Sequence, residues 1–260
     1  MRISLALLAL SVAINAHATQ PPVQICLGDS YEWPPYSFWE RVNGEPEQSR
    51  LTGYSATLVL KALESLGLDY RIHYMPWARA QQELADFASK GRCEMTWDAS
   101  FNSTRAGLLY YRVPLYKTRL GLFYSRKRFA EPPQLTLPDD LRQLKVCGVI
   151  GFNYQPYGID WPLERLPTIQ QNLEMLDRQR CDFFPSEIEP LLGGITIGTY
   201  SDPGQLTPLP LPQQKTFYLM ISKGSPRAHE LINRLNQIII EQQENGEAQR
   251  LLERFLPGMQ

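Results

Sequence analysis

Histidine and cysteine are scarce in this chain, with three of the first and four of the second among 260 residues. No C-x-x-C pair occurs, and only His73 and His229 lie beyond the N-terminal segment. A zinc site needs several such ligands at close spacing, so metal binding is not expected. A glycine-rich phosphate loop is missing, as is any motif that sets a nucleophile beside its base, which removes the usual signatures of nucleotide chemistry and covalent catalysis. Lysine and arginine number 26 against 27 aspartates and glutamates, a formal charge of -1. With no excess of either sign, neither a nucleic-acid partner nor a charged membrane surface is implied. Beyond the N-terminus no apolar run approaches the roughly 20 residues that a membrane helix requires.

What is present begins with an export signal. Met1-Arg-Ile-Ser carries one early positive charge, Leu5 to Ile14 is apolar but too short to span a bilayer, and Ala16-His-Ala18 places small residues at a cleavage site. Cleavage after Ala18 and residence in the periplasm are expected, and no cysteine follows closely enough to carry a lipid. Disulfides persist in that oxidising compartment. Cys26, Cys93, Cys147 and Cys181 allow more than one pairing, and sequence alone does not choose among them. Each lies at the edge of an expected strand, two in the first part of the chain and two in the second. One bridge within each part is therefore expected, Cys26 with Cys93 and Cys147 with Cys181.

Val23 to Leu27 reads as a short apolar strand. Ala56 to Leu66 has apolar residues at helical spacing and stops at Gly67, and Asp69 to Met75 alternates as a strand does. Ala78 to Ser89 reads as a helix ended by Gly91, and Cys93 to Trp97 as the next strand. Such alternation builds a parallel sheet through right-handed crossovers. The pattern restarts with a strand at Lys145 to Ile150, a helix within Ile169 to Arg178 and a strand at Cys181 to Phe184, so two α/β lobes are expected. Thr118 to Ser125 and Thr216 to Ser222 are extended and aromatic and would cross between them. Helices at Pro226 to Glu244 and Ala248 to Phe255 would then complete the first lobe. The expected division is 1–18 signal, 19–118 and 223–260 first lobe, 119–124 and 216–222 hinge strands, and 125–215 second lobe. Glu131-Pro-Pro and Thr207-Pro-Leu-Pro-Leu-Pro212 are expected to be surface connections. A ligand cleft would lie between the lobes, outside the carboxyl ends of the parallel strands.

Asp98-Ala-Ser-Phe-Asn-Ser-Thr-Arg105 continues the apolar run Cys93-Glu-Met-Thr-Trp97 and looks like a carboxylate clamp. The planar guanidinium of Arg105 can donate two parallel hydrogen bonds to a carboxylate. Ser100 and Asn102 alternate with Ala99 and Phe101, so a continuing strand would place both on one face as further donors. The alternative is a solvated loop arginine beside a helix start, with Ser103 or Thr104 as N-cap. Tyr31, Trp33 and Tyr36 in the loop after the first strand, and Trp77 after Met75, are placed to wall a cleft or to stack on a cation, Trp77 and Trp33 ahead of Tyr31. Gly151-Phe-Asn-Tyr154 follows a strand and can offer backbone N–H groups and the Asn153 side chain to an anion.

With these features in order, the chain resembles the bacterial periplasmic solute-binding proteins of the polar amino acid type, family 3. The likeness is carried by Pro34-Pro-Tyr-Ser-Phe38, Leu51-Thr-Gly-Tyr54, the Cys93 to Pro114 block, Cys181-Asp-Phe-Phe-Pro-Ser-Glu187 and Tyr218-Leu-Met-Ile-Ser-Lys-Gly-Ser-Pro226. It implies an α/β, two-lobed type II periplasmic-binding-protein fold, each lobe a mostly parallel sheet flanked by helices. It also implies a monomer that needs no cofactor, closes on a small molecule and presents it to the permease of an ABC importer. By the resemblance Arg105 would grip the ligand α-carboxylate, helped by Ser100 and Asn102, and Glu187, five places after Asp182, would hold the α-ammonium. A carboxylate and an ammonium offset each other's desolvation in a closed cleft. Glu189 is expected to be merely solvated.

Two positions depart from the family pattern. Ser55 follows Gly53-Tyr54 where an aspartate is usual, and Asp98 stands where amino acid binders have a small residue. An Asp98 pointing into the cleft would favour a ligand more cationic than a neutral amino acid, or a larger one. The expected function is binding of a small carboxylate-bearing solute, an amino acid or a related cationic or zwitterionic molecule. A periplasmic ligand sensor requires the same closing cleft. A dehydratase of the prephenate or arogenate type also uses this fold, with Glu187 or Asp98 as general acid if desolvation raised its pKa.

Overall fold

The computed structural model describes residues 20–28 and 32–256. The export signal and its cleavage after Ala18 lie outside the described residues, as does Tyr31. No helix among the described residues is long and apolar enough to cross a membrane.

The apolar run after Pro22 forms β1 (Val23–Leu27). A hairpin follows, β2 (Phe38–Val42) and β3 (Glu45–Thr52). Its turn is Asn43-Gly44 with φ of 53° and 87°, the doubly left-handed conformation that this dipeptide adopts at least cost. Next come α1 (Tyr54–Ser65), β4 (Tyr70–Tyr74), α2 (Trp77–Ala85), α3 (Phe87–Lys90), β5 (Met95–Ser100) and α4 (Ser103–Leu108). A long strand, β6 (Leu109–Ser125), leads to β7 (Cys147–Val149), β8 (Glu164–Leu166), α5 (Ile169–Asp177), β9 (Phe184–Glu187) and α6 (Ile188–Thr196). A second long strand, β10 (Leu206–Ser222), returns to α7 (Ala228–Glu244) and α8 (Glu247–Phe255).

One sheet in the order β4-β1-β5-β10-β6-β9 runs through the molecule. The first three strands are parallel, as βαβ crossovers require, while β10 runs antiparallel to β5 and β6, and β9 antiparallel to β6. β5 meets β10 only over Phe217–Ile221, and β9 meets β6 only over Leu120–Phe123. The long strands are therefore the shared ladder, and the expected crossings 119–124 and 216–222 lie inside them. Helices α1, α7 and α8 pack at the first end, α5 and α6 at the second. The inward face of α7 is Leu231, Ile232, Leu235 and Ile239, recurring at helical spacing and buried. The second lobe keeps the expected parallel pairing on a smaller scale: β7 runs parallel to β8, and a parallel bridge joins Val146, ahead of β7, to Phe183, ahead of β9.

The proline-rich stretch 207–212 is not a surface connection. It is the first third of β10, with Pro208 opposite Phe123 and Pro210 opposite Gly121 on β6. Prolines two apart lack their donors on the same side of a strand. That side is unpaired here because β5 ends before reaching it, so the missing N–H groups cost no ladder bonds and blunt the edge. Both expected disulfides are present, Cys26 to Cys93 and Cys147 to Cys181, with Cα atoms 5.5 and 5.9 Å apart. One lies in each lobe, the first tying β1 to the chain entering β5, the second tying β7 to the chain entering β9.

Candidate ligand cleft

A cavity of about 40 Å³ lies between the lobes. Trp33, Trp77, Phe152 and Phe217 form its aromatic walls, and Asp98, Arg105, Glu187 and Lys215 border it with charge. Of the aromatics expected there, Trp33 and Trp77 line it. The Trp33 ring meets Phe152 edge-on at 5.8 Å, and its Nε1–H donates to the Tyr116 hydroxyl. Tyr36 does not line the cavity: it is buried in the first lobe, stacked on Tyr116 at 3.6 Å.

The Arg105 segment combines the clamp with its alternative. β5 stops at Ser100, and Asn102 turns outward to cap α4, its Oδ1 accepting from the Arg105 N–H at 3.2 Å. Asn102 is thus the N-cap, in place of Ser103 or Thr104, and is not a third donor on the cleft face. The cap fixes the first turn of α4 and aims the Arg105 side chain back over the strand end. Its Nε donates to Gln81 Oε1 (2.7 Å), Nη1 to the Ser100 carbonyl (3.0 Å) and Nη2 to the Gly151 carbonyl (2.7 Å), with the guanidinium 5.3 Å from the Trp77 ring centre. Gly151 therefore serves through its C=O, not through the N–H expected of it. It must be glycine, because φ is 85° and a Cβ would fall 2.7 Å from Gln81 Nε2. Asn153 Nδ2 donates to the Phe101 carbonyl (2.8 Å) and approaches Ser100 Oγ (3.4 Å). Arg105 and Asn153 thus join the lobes across the cavity.

Asp98 has φ of 56°, at an irregularity in the pairing of β5 with β10. The twist turns its carboxylate onto three hydroxyls: Ser37 donates to Oδ2 (2.6 Å), Ser55 and Tyr116 to Oδ1 (2.6 and 2.8 Å). Burial pushes its pKa up to about 6 even though the three donors pull it down. The two departures from the family pattern are thus one arrangement, since Ser55, in the place of an aspartate, donates to Asp98. Although Asp98 borders the cavity, its oxygens are turned to these hydroxyls and not to an incoming cation.

Glu187 is engaged by a residue that the sequence reading missed. Lys215 Nζ donates to Glu187 Oε1 at 2.5 Å and to the Asn153 carbonyl at 2.8 Å, and the two side chains are 5% and 1% exposed. Register explains the meeting. Lys215 on β10 is opposite Thr118 on β6, and Glu187 on β9 is opposite Leu120. Positions 118 and 120 share a face of β6, so the two side chains flank that strand on the same face and reach each other over it. Burial lowers the Lys215 pKa, and Glu187 opposes that shift.

One further carboxylate, Glu32, escaped the sequence reading, and a second, Glu189, is placed differently from expectation. Glu32 accepts from Arg41 (2.6 and 2.9 Å), Thr199 (2.7 Å) and the Trp39 N–H (3.0 Å), with Arg41 and Thr199 holding its pKa down against burial. Glu189 is not solvated: it is buried and accepts from both the backbone N–H and the guanidinium of Arg119, at 2.9 and 2.7 Å. Among the described residues no group of three or more His, Cys, Asp or Glu is placed to hold a metal.

No protein-family model matches the chain, and no curated protein matches it. Solved structures match over most of its length. One is a histidine kinase sensor domain with similarity to periplasmic binding proteins, 20% identical, with a TM-score of 0.72, covering 91% of this chain and 97% of that one. Another is the substrate-binding protein of an amino acid ABC transporter, 18% identical, TM-score 0.70, covering 89% and 98%. A third is an amino acid ABC transporter substrate-binding protein from Streptococcus pneumoniae bound to L-arginine, 18% identical, TM-score 0.68, covering 90% and 93%. The chain has the periplasmic-binding-protein fold. At such identities the likeness extends to the fold, in which the cavity of this periplasmic-binding-protein fold lies between the lobes and the charged groups on its walls are the chain's own.

Proposed function

We propose that this protein is a periplasmic solute-binding protein that closes two lobes around a small carboxylate-bearing ligand. The observation that carries the reading is Arg105, rooted on α4 of the first lobe and reaching the Gly151 carbonyl of the second at the edge of an aromatic-walled cavity. A ligand carboxylate would replace neutral carbonyl acceptors with charged ones, and charge-assisted bonds to guanidinium are roughly twice as strong. A cavity of about 40 Å³ admits roughly three waters, so a solute enters only when the lobes part. The hinge of that motion is proposed at Lys117–Arg119 of β6 and Gln214–Thr216 of β10, between the last rung with β5 and the first with β9.

Delivery to an ABC importer and reporting to a membrane sensor both use such closure, and the fold is shared with proteins of each kind. Import is the reading proposed; the likeness to a sensor domain keeps ligand sensing as the second. Catalysis of the dehydratase type has less support, because the oxygens of Asp98 face hydroxyls and Glu187 is paired with Lys215.

The test is ligand-induced thermal stabilisation, which grows with concentration when a solute binds the folded state. Replacement Arg105→Gln should weaken carboxylate binding by roughly 30-fold or more, the loss of about 2 kcal/mol for a charge-assisted bond, with circular dichroism unchanged. Full affinity in that variant sinks the clamp. Turnover of prephenate or arogenate by the wild type would assign an enzyme instead.

A further inference from the structure

The cavity presents an ammonium group of its own. Lys215 borders it at 5% exposure, and an ammonium has three N–H donors. One goes to Glu187 Oε1 and one to the Asn153 carbonyl, and no acceptor among the described residues takes the third. A buried donor left over costs free energy until something accepts from it. The nearest aromatic faces, Tyr157 and Phe217, lie 5.6 and 5.7 Å from Nζ.

The carboxylates on the same walls, among the described residues, are already engaged. Glu32 is neutralised by Arg41, Asp98 faces three hydroxyls, and the charge of Glu187 is balanced by Lys215. Glu187 Oε2 has no partner at hydrogen-bond geometry, although the Tyr157 hydroxyl lies near enough that burial and Glu187 together raise its pKa. An ammonium placed on that carboxylate oxygen would nevertheless stand beside Lys215, two cations sharing one negative charge where low dielectric strengthens repulsion. Arg105 adds a second cation bordering the cavity, close enough to lower the Lys215 pKa. An anion between the two relieves that repulsion and takes the unused donor.

We infer that the ligand is an organic acid without an ammonium group, its carboxylate accepting from both Arg105 and Lys215 and its apolar body lying against Trp33, Trp77 and Phe217. This rests on the solute-binding reading and narrows it from amino acids to their deaminated counterparts. Lys215 is then a specificity-determining residue, because it holds Glu187 away from any ligand cation.

Calorimetric titration of the mature chain with matched pairs tests the inference: 4-methylpentanoate against L-leucine, 3-phenylpropionate against L-phenylalanine, and succinate against L-aspartate. At least one acid should bind tenfold or more tightly than its amino counterpart. Lys215→Met should reverse that preference by uncovering Glu187. The double variant Lys215→Met with Glu187→Gln, which leaves neither member of the pair charged without its partner and so protects against misfolding, should lose acid binding at least tenfold without gaining amino acids. An amino acid that binds as tightly as its acid, and loses that binding in Arg105→Gln, overturns this inference and leaves the solute-binding reading standing. A panel in which nothing binds overturns both.

Discussion

Asp98 and Glu187 are two carboxylates at the edge of one cavity, and the fold accommodates them by opposite means. Asp98, in the first lobe, receives only neutral donors, so burial raises its pKa to about 6 and part of the population carries a proton near neutrality. Glu187, at the junction with the second lobe, receives a cation and keeps its charge paired. Hydroxyls can rotate to serve either protonation state, whereas a lysine that loses its partner has nowhere to go. The first device tolerates change and the second does not.

The largest effect should come from breaking the second device. Lys215→Met leaves a buried unpaired carboxylate and should cost about 3–5 kcal/mol in urea unfolding, while adding Glu187→Gln should restore most of it. A double variant no more stable than the single would mean that packing, not charge, holds Lys215. The next effect is the pH dependence of the first device. Between 3.8 and about 6 the folded chain binds a proton at Asp98 that the unfolded chain has released, so this contribution is full below that window and lost as pH rises through 6. It amounts to roughly 3 kcal/mol, and Asp98→Asn should remove it from the stability profile. Lys215 has the opposite sign: its pKa is lowered from 10.5, so stability rises with pH just below that value. Smaller again, Ser55→Ala should push the Asp98 pKa further above 6 and cost about 1 kcal/mol, read by carboxyl-carbon NMR titration. Least of all, Lys61→Ala breaks an ion pair with Glu247 in which Lys61 is half exposed, and should shift stability by no more than about 0.5 kcal/mol. A larger loss there would mean that ion pairs in this chain do not sort by burial.

Local pattern made much of the fold legible. β1 spans the residues expected of it, α5 lies within the expected helix, and the four cysteines pair as their placement in two lobes implied. The Asn43-Gly44 hairpin carried a strong short-range signal that was not used. Other features had no local signal. Whether Asn102 extends a strand or caps a helix depends on which competitor satisfies the Arg105 N–H, and the capped helix wins because Arg105 then bridges to Gly151. The prolines of 207–212 read as a connection because nothing in the sequence says that β5 stops short and leaves that edge unpaired. Lys215 read as one more charge beside an aromatic strand.

By itself the sequence determined the alternation of strands and helices that makes two α/β lobes and an arginine just past the end of a central strand, since each follows from periodicity or from residues close along the chain; the disulfide partners, 67 and 34 residues apart, and the full length of the crossing strands came with the fold. Only the tertiary structure decided what that arginine works beside. Lys215 and Glu187 are 28 residues apart and meet because both flank β6 on one face. Asp98 is turned away from the cavity by hydroxyls drawn from positions 37, 55 and 116. The charge of the site is a sum over strands in register, and register is not written in any one of them.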